Sequence, residues 1–169
     1  YQDAYKLFEE IENLEGIADC FESIGLVYQE LGNNLEALKW NSEALKISDQ
    51  IYDDERKARI LCSIGALFHK QGVYKDAFKR YNIALDLFDK VGDLIGKTYC
   101  LNKVGLVYQD RGDYTEALKW YDRGTKLFKV LGPSKERADN LYNTAMIYRD
   151  QGLYLDALKT FEESLNIDN

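Results

Sequence analysis

The sequence predicts an all-α protein, an α-solenoid of antiparallel helix pairs, on three observations. Several residue columns recur every 40 positions, apolar residues within each unit step by three and four, and 169 residues contain a single proline. A step near 3.6 residues with almost no helix breaker specifies helices. A fixed period of this length specifies stacked supersecondary units.

The columns are explicit. Ile24-Gly-Leu-Val-Tyr28, Ile64-Gly-Ala-Leu-Phe68, Val104-Gly-Leu-Val-Tyr108 and Thr144-Ala-Met-Ile-Tyr148 align at a spacing of 40. Gly32, Gly72, Gly112 and Gly152 keep that spacing, as do Ala37, Ala77, Ala117 and Ala157 and the acidic residues before them.

In the first unit Ile17, Phe21, Ile24, Tyr28 and Leu31 form the apolar stripe of an amphipathic helix. Gly32 is placed to close it in a left-handed conformation. A second helix follows, with Ala37, Leu38, Asn41, Ala44, Leu45 and Ile47 on its buried face and Glu36 near the positive end of its dipole. Gly25, Gly65, Gly105 and Ala145, with the alanine column opposite, predict close approach of the two helices. A mid-helix glycine costs about 1 kcal/mol relative to alanine, so its recurrence implies that the contact returns more.

These spacings place full units at 13–52, 53–92 and 93–132 and a fourth at 133–169, in a single repeat domain. Residues 1–12 read as the second helix of a preceding, truncated unit, because Leu7-Phe-Glu-Glu-Ile11 lies 80 positions before Leu87-Phe-Asp-Lys-Val91. Gly132-Pro133 is the sharpest expected break between units.

The pattern resembles the tetratricopeptide repeat (TPR), whose signature has a Leu-Gly pair, a Tyr three residues on, an Ala after the turn and an aromatic four residues beyond. Those places hold Ile24-Gly25, Tyr28 and Ala37, with Tyr81, Tyr121 and Phe161 as the later aromatics. Asn41 replaces the first aromatic and Thr144-Ala145 the last Leu-Gly pair, so these units should pack less typically. The 40-residue form is similar to Pins/LGN spindle-orientation adaptors, kinesin light chains and prokaryotic signalling TPR proteins. The resemblance implies a right-handed superhelix whose first helices line a concave binding groove.

Composition narrows the chemistry. The net charge of -7 and sequence pI near 4.8 oppose nucleic-acid binding, which needs clustered Lys and Arg. Mean hydropathy of -0.44 leaves no membrane span. Cys20, Cys62 and Cys100 are odd in number and widely spaced, which suits free thiols in a reducing, cytoplasmic setting. A lone His69 and the absence of CxxC or phosphate-loop patterns give no expected metal site, no cofactor and no catalytic constellation. Trp40 and Trp120 are expected to pack along the inter-repeat seam. Asp76 with Lys79 and Asp156 with Lys159 are expected to form solvated pairs.

The expected working surface is a first-helix stripe whose residue types vary while the core columns stay fixed. It contains Asp19, Glu22, Leu26 and Gln29, then Arg59, Cys62, Ala66 and His69. It continues through Tyr99, Asn102, Leu106 and Gln109 to Asp139, Tyr142, Met146 and Arg149. The candidate protein- or peptide-binding residues are Arg59, Cys62, His69, Tyr99, Asn102, Gln109, Asp139, Tyr142 and Arg149. The resemblance also implies that chaperone tails are not the ligand, since Leu26 and Ala66 replace the clamp's asparagines and Glu22 its lysine. The expected function is a non-enzymatic interaction scaffold. The alternative is a sensor module controlling an attached enzyme or transcription regulator. Self-association through uncapped ends is expected at Tyr5, Leu7, Phe8 and Ile11, and at Phe161, Leu165 and Ile167.

Overall fold

Among the described residues the chain forms eight helices, most of them started by a side-chain cap. In the computed structural model, which describes residues 13–132 and 134–167, they are α1 (Leu14–Glu30), α2 (Asn34–Gln50), α3 (Asp54–Lys70), α4 (Tyr74–Val91), α5 (Leu94–Asp110), α6 (Tyr114–Leu131), α7 (Lys135–Asp150) and α8 (Tyr154–Leu165). Among the described residues there is no strand. The chain divides into two compact units, residues 1–92 and 93–169.

Six helices begin with a side-chain oxygen accepting from a backbone N–H three residues on: Asn13, Asn33, Asp53, Asp93, Asp113 and Ser134. Each satisfies one otherwise orphaned donor of its first turn. Val73 and Leu153 start α4 and α8 without such a bond. Within each hairpin the first helix closes as expected: Gly32 takes φ 75°, and the next N–H, of Asn33, bonds to Tyr28 O at 2.9 Å.

In residues 1–92, α1 pairs with α2, α3 with α4, and α2 packs on α3. Ala44 of α2 clusters with Ile60 and Ile64 of α3, with Phe21, Leu38, Leu45 and Phe68 packed around them. In residues 93–169, α5 pairs with α6, α7 with α8, and α6 packs on α7. There Ala117 and Tyr121 meet Ile147, flanked by Leu106, Tyr108, Tyr114 and Leu118.

The small columns act as the sequence requires. A methyl at Gly65 would stand 2.8 Å from the Tyr81 ring, and one at Gly105 only 2.4 Å from the Tyr121 ring. Ala37, Ala77, Ala117 and Ala157 are all buried opposite.

Some expectations change. Leu31 is an exposed C-cap residue and no part of the buried stripe, because its helix has ended one turn after Tyr28. Ser48 is buried on α2, where its Oγ donates to Ala44 O, while Ile47 is only half-buried. The expected Asp76–Lys79 and Asp156–Lys159 pairs are not among the described ion pairs, whereas Glu36–Lys39 and Glu116–Lys119 form at 3.6 and 2.5 Å. Glutamate's extra methylene supplies the reach. The expected helix in residues 1–12, with Tyr5, Leu7, Phe8 and Ile11, and Pro133 of the expected break lie outside the described residues.

Candidate functional site

The first helices carry the variable stripe, and each unit arranges its own part differently. In residues 1–92 the centre is Arg56 on α3, whose side chain is 10% exposed. Its Nη1 donates to Asp19 at 2.5 Å and Glu22 at 2.7 Å on α1, and its Nε to Asp53 at 3.1 Å. One guanidinium therefore fastens two first helices and the N-cap of the second.

Electrostatics follow from that arrangement. Burial opposes the Arg56 charge, but the hydrogen bonds it donates to the three carboxylates outweigh this and raise the pKa well above the ordinary range. Glu22 is raised above the ordinary 4.5, because burial exceeds the stabilisation it receives from Arg56. Burial also pushes Asp53 up, yet its bonds from the Arg56 N–H and guanidinium leave it below 3.8.

Arg59 is exposed and pairs with Glu55 on its own helix at 2.7 Å. His69 is half-buried, its ring 6.0 Å from that of Tyr74. Cys62 is buried, so this expected contact residue is inaccessible: its small apolar side chain belongs to the packed interior.

In residues 93–169 the stripe is uncharged at its middle. Asn143 Nδ2 on α7 donates to Asn102 Oδ1 on α5 at 3.3 Å, joining the two first helices. Exposed tyrosines flank this pair. Tyr99 carries Lys103 Nζ 4.9 Å from its ring centroid, and Tyr142 tilts against Phe161 at 5.6 Å. Gln109 turns inward: its Oε1 accepts from Tyr121 Oη at 2.8 Å, so it buttresses the hairpin. Asp139 and Arg149 are exposed, and Arg149 Nε and Nη2 hold Asp150 at 3.0 and 2.8 Å.

Sequence reasoning missed Arg56 and Asn143. Arg56 lies before the first apolar column and has no repeat counterpart, as Gly16, Gly96 and Glu136 hold its place. Its only sequence signal is the acidic cap three residues upstream. Asn143 stands 41 residues after Asn102, one step off the alignment that pairs Asn102 with Tyr142.

Trp40 packs at 5.4 Å on Phe21, and Trp120 stacks on Tyr108 at 6.3 Å with the Arg123 guanidinium 4.2 Å from the Trp120 ring centroid. Both tryptophans serve their own hairpins. At the expected association end, Phe161 and Ile167 are half-buried and Leu165 is exposed.

Among the described residues no group of three or more His, Cys, Asp or Glu side chains could hold a metal ion, and no helix is long and apolar enough to cross a membrane. A cavity of about 100 Å³ in the second unit is lined by Ile95, Phe128, Leu131, Ser134 and Glu136. There Ser134 Oγ accepts from the Arg137 N–H at 3.3 Å, as the cap of α7.

A family model described as tetratricopeptide repeat matches residues 16–90 and 97–169. No curated protein sequence matches the chain. Among solved structures, BtubC (BKLC) from P. vanneervenii superposes with TM-score 0.79 at 18% identity, covering 92% of this chain and 65% of that one. The chain therefore spans less than two thirds of that relative. The Rap conjugation gene regulator of plasmid pLS20, solved with the Phr* peptide, gives 0.79 at 16% identity, covering 94% and 44%. A putative kinesin light chain from Podosopora anserina gives 0.67 at 14% identity, covering 99% and 86%. At these identities the likeness concerns the fold.

Proposed function

Because the chain belongs to the tetratricopeptide repeat family, we propose that it is a non-enzymatic protein-interaction scaffold, and that its first-helix faces receive a peptide or helix of a partner. The observation that carries this reading is the α5–α7 face, where Asn143 bonds to Asn102 and where Tyr99, three residues before Asn102, and Tyr142, next to Asn143, are exposed. Amides offer donors and acceptors to a polypeptide backbone, and tyrosines offer large contact area at low entropic cost. Arg149 and Asp139 supply charge and hydrogen bonding on this face, and Arg59 and His69 do so on a first helix of the other unit, in a cytoplasmic setting.

The second reading, a sensor module that controls an attached effector, draws on the Rap regulator, which was solved with a bound peptide. It uses the same face and differs in what peptide binding changes.

Affinity capture tests the proposal. Partners recovered with the wild-type chain should be lost with Tyr99→Ala/Asn102→Ala, while circular dichroism shows the helices intact. Equal recovery would remove the face from consideration.

A further inference from the structure

Four departures from the repeat meet at one place in the second unit. Asn13, Asp53 and Asp93 cap their helices at intervals of 40, but α7 is capped one residue late, by Ser134. Ile95 stands in a column otherwise held by Glu15, Glu55 and Lys135. Gly124 replaces Ala44 and Ala84, and Asn140 replaces Cys20, Ile60 and Cys100. Packing alone would repeat these columns: in the first unit Ala44 and Ile60 meet in an apolar cluster.

The cavity of about 100 Å³ opens here, between Ile95 of α5, Phe128 and Leu131 of α6, and Ser134 and Glu136 of α7. Phe128 is buried and Ile95 is 63% exposed, so its walls run from core to surface. Steps of three or four residues along each helix stay on one side, and they lead from these walls to a polar layer. From Ile95 the step reaches Thr98, from Phe128 back to Gly124, and from Glu136 to Asn140. A β-carbon at Gly124 would fall 2.7 Å from Asn140 Nδ2 and 3.8 Å from Thr98 Cγ2, so the three helices meet in this layer. Thr98 and Asn140 are both buried. Thr98 Oγ1 donates to Leu94 O at 2.7 Å and Thr125 Oγ1 to Asn140 Oδ1 at 3.1 Å, while Asn140 Nδ2 is buried without a protein partner. A buried donor left unpaired is costly, and its presence calls for an acceptor.

We propose that this cavity is a binding site for a small neutral molecule with an apolar body and one acceptor oxygen, a short-chain or cyclic ketone or ester, whose oxygen accepts from Asn140 Nδ2. A cation offers the amide no acceptor, and an anion would lie beside the Glu136 carboxylate. A dry apolar cavity of about 150 Å³ takes benzene, so about four to six heavy atoms fit here.

The probe is cyclopentanone, titrated into the full chain and followed by its amide resonances. At millimolar concentration it should shift the side-chain amide of Asn140 and the backbone amides of Phe128 and Leu131, while isobutyrate, similar in size but charged, should not. Asn140→Cys, which restores the residue of the Cys20 and Cys100 column, should weaken ketone binding about fivefold to tenfold, the contribution of one neutral hydrogen bond. It should leave the weaker binding of cyclopentane unchanged, which separates loss of the donor from loss of the cavity. Ile95→Glu, at an exposed position where the column holds glutamate, should weaken both. Asn102→Ala, which disables the proposed peptide face, should change neither. No shift at tens of millimolar ketone, equal ketone affinity in Asn140→Cys, or equal binding of isobutyrate would each overturn the proposal. So would a water cross-peak to Asn140 Nδ2 that survives saturation with ketone, since an ordered water would then hold the donor.

Discussion

The hydroxyl of Tyr121 donates to Oε1 of Gln109 at 2.8 Å, joining α6 to α5 above the gap that Gly105 leaves for the ring. Burial, with the nearby charge of Asp110, pushes this phenol well above its ordinary pKa of 10, so it stays a donor. The first hairpin has the same acceptor, Gln29, but Asn41 in place of the tyrosine. There Gln29 Oε1 and Asn41 Nδ2 are both buried without a protein partner.

Asn41→Tyr should therefore stabilise the protein. The phenol would restore the donor for Gln29 and replace a buried amide with apolar ring surface, together worth about 1–2 kcal/mol. A higher urea midpoint is the expected outcome, and Gln29→Ala should erase part of the gain. An unchanged or lowered midpoint would show that α1 and α2 have closed around the asparagine.

The mid-helix glycines should rank by what faces them. Alanine gains about 1 kcal/mol of helix propensity over glycine, but its methyl would stand 2.4 Å from the Tyr121 ring at position 105 and 2.8 Å from the Tyr81 ring at position 65. At position 25 it meets the Asn41 amide at 3.1 Å. Gly105→Ala should be the most destabilising, Gly65→Ala less so and Gly25→Ala close to neutral. Chemical denaturation of the three variants checks the order.

Tyr52 is the one non-glycine residue with positive φ among the described residues, at 55°, and it is 90% exposed. Gly92 and Gly132 hold the same column at the later joints between hairpins. A β-carbon in the left-handed region costs roughly 1–2 kcal/mol, and little burial of the ring offsets it. Tyr52→Gly should stabilise the fold by about 1 kcal/mol once glycine's extra unfolded-state entropy is subtracted, and so raise the melting temperature. A lower melting temperature would mean that the exposed ring stabilises the turn.

The fold was legible because packing writes itself into periodic columns: Gly105 against Tyr121 repeats Gly65 against Tyr81, and Ala117 repeats the buried Ala37, Ala77 and Ala157. The site was less legible because its contacts are not periodic. Asn102 meets Asn143, one residue away from the aligned Tyr142, and Arg56 reaches back to a helix 34 to 37 residues earlier. Cys62 and Gln109 fell on the variable stripe by register, but a short thiol and a long amide bend that register inward. Side-chain length and the stagger of neighbouring helices decide such details, and neither is a property of a single repeat.

The Arg56 cluster should leave two opposite marks on the acid stability profile. Asp53 has a folded pKa below its ordinary 3.8, so the unfolded chain binds the proton more readily. Its contribution is present above pH 3.8 and is lost as pH falls through the lower folded value. Glu22 has a folded pKa above 4.5, so the native state binds the proton more readily, and stability declines as pH rises from 4.5 through that value. Asp53→Asn should flatten the profile below pH 3.8 while keeping the helix cap, since an asparagine oxygen accepts from the same N–H as well as a carboxylate does. Glu22→Gln should flatten it above pH 4.5 and leave the acid limb in place. Urea midpoints at a series of pH values separate the two, because the windows lie on opposite sides of pH 4. If both variants altered the same window, the guanidinium would not divide the carboxylates as the geometry requires.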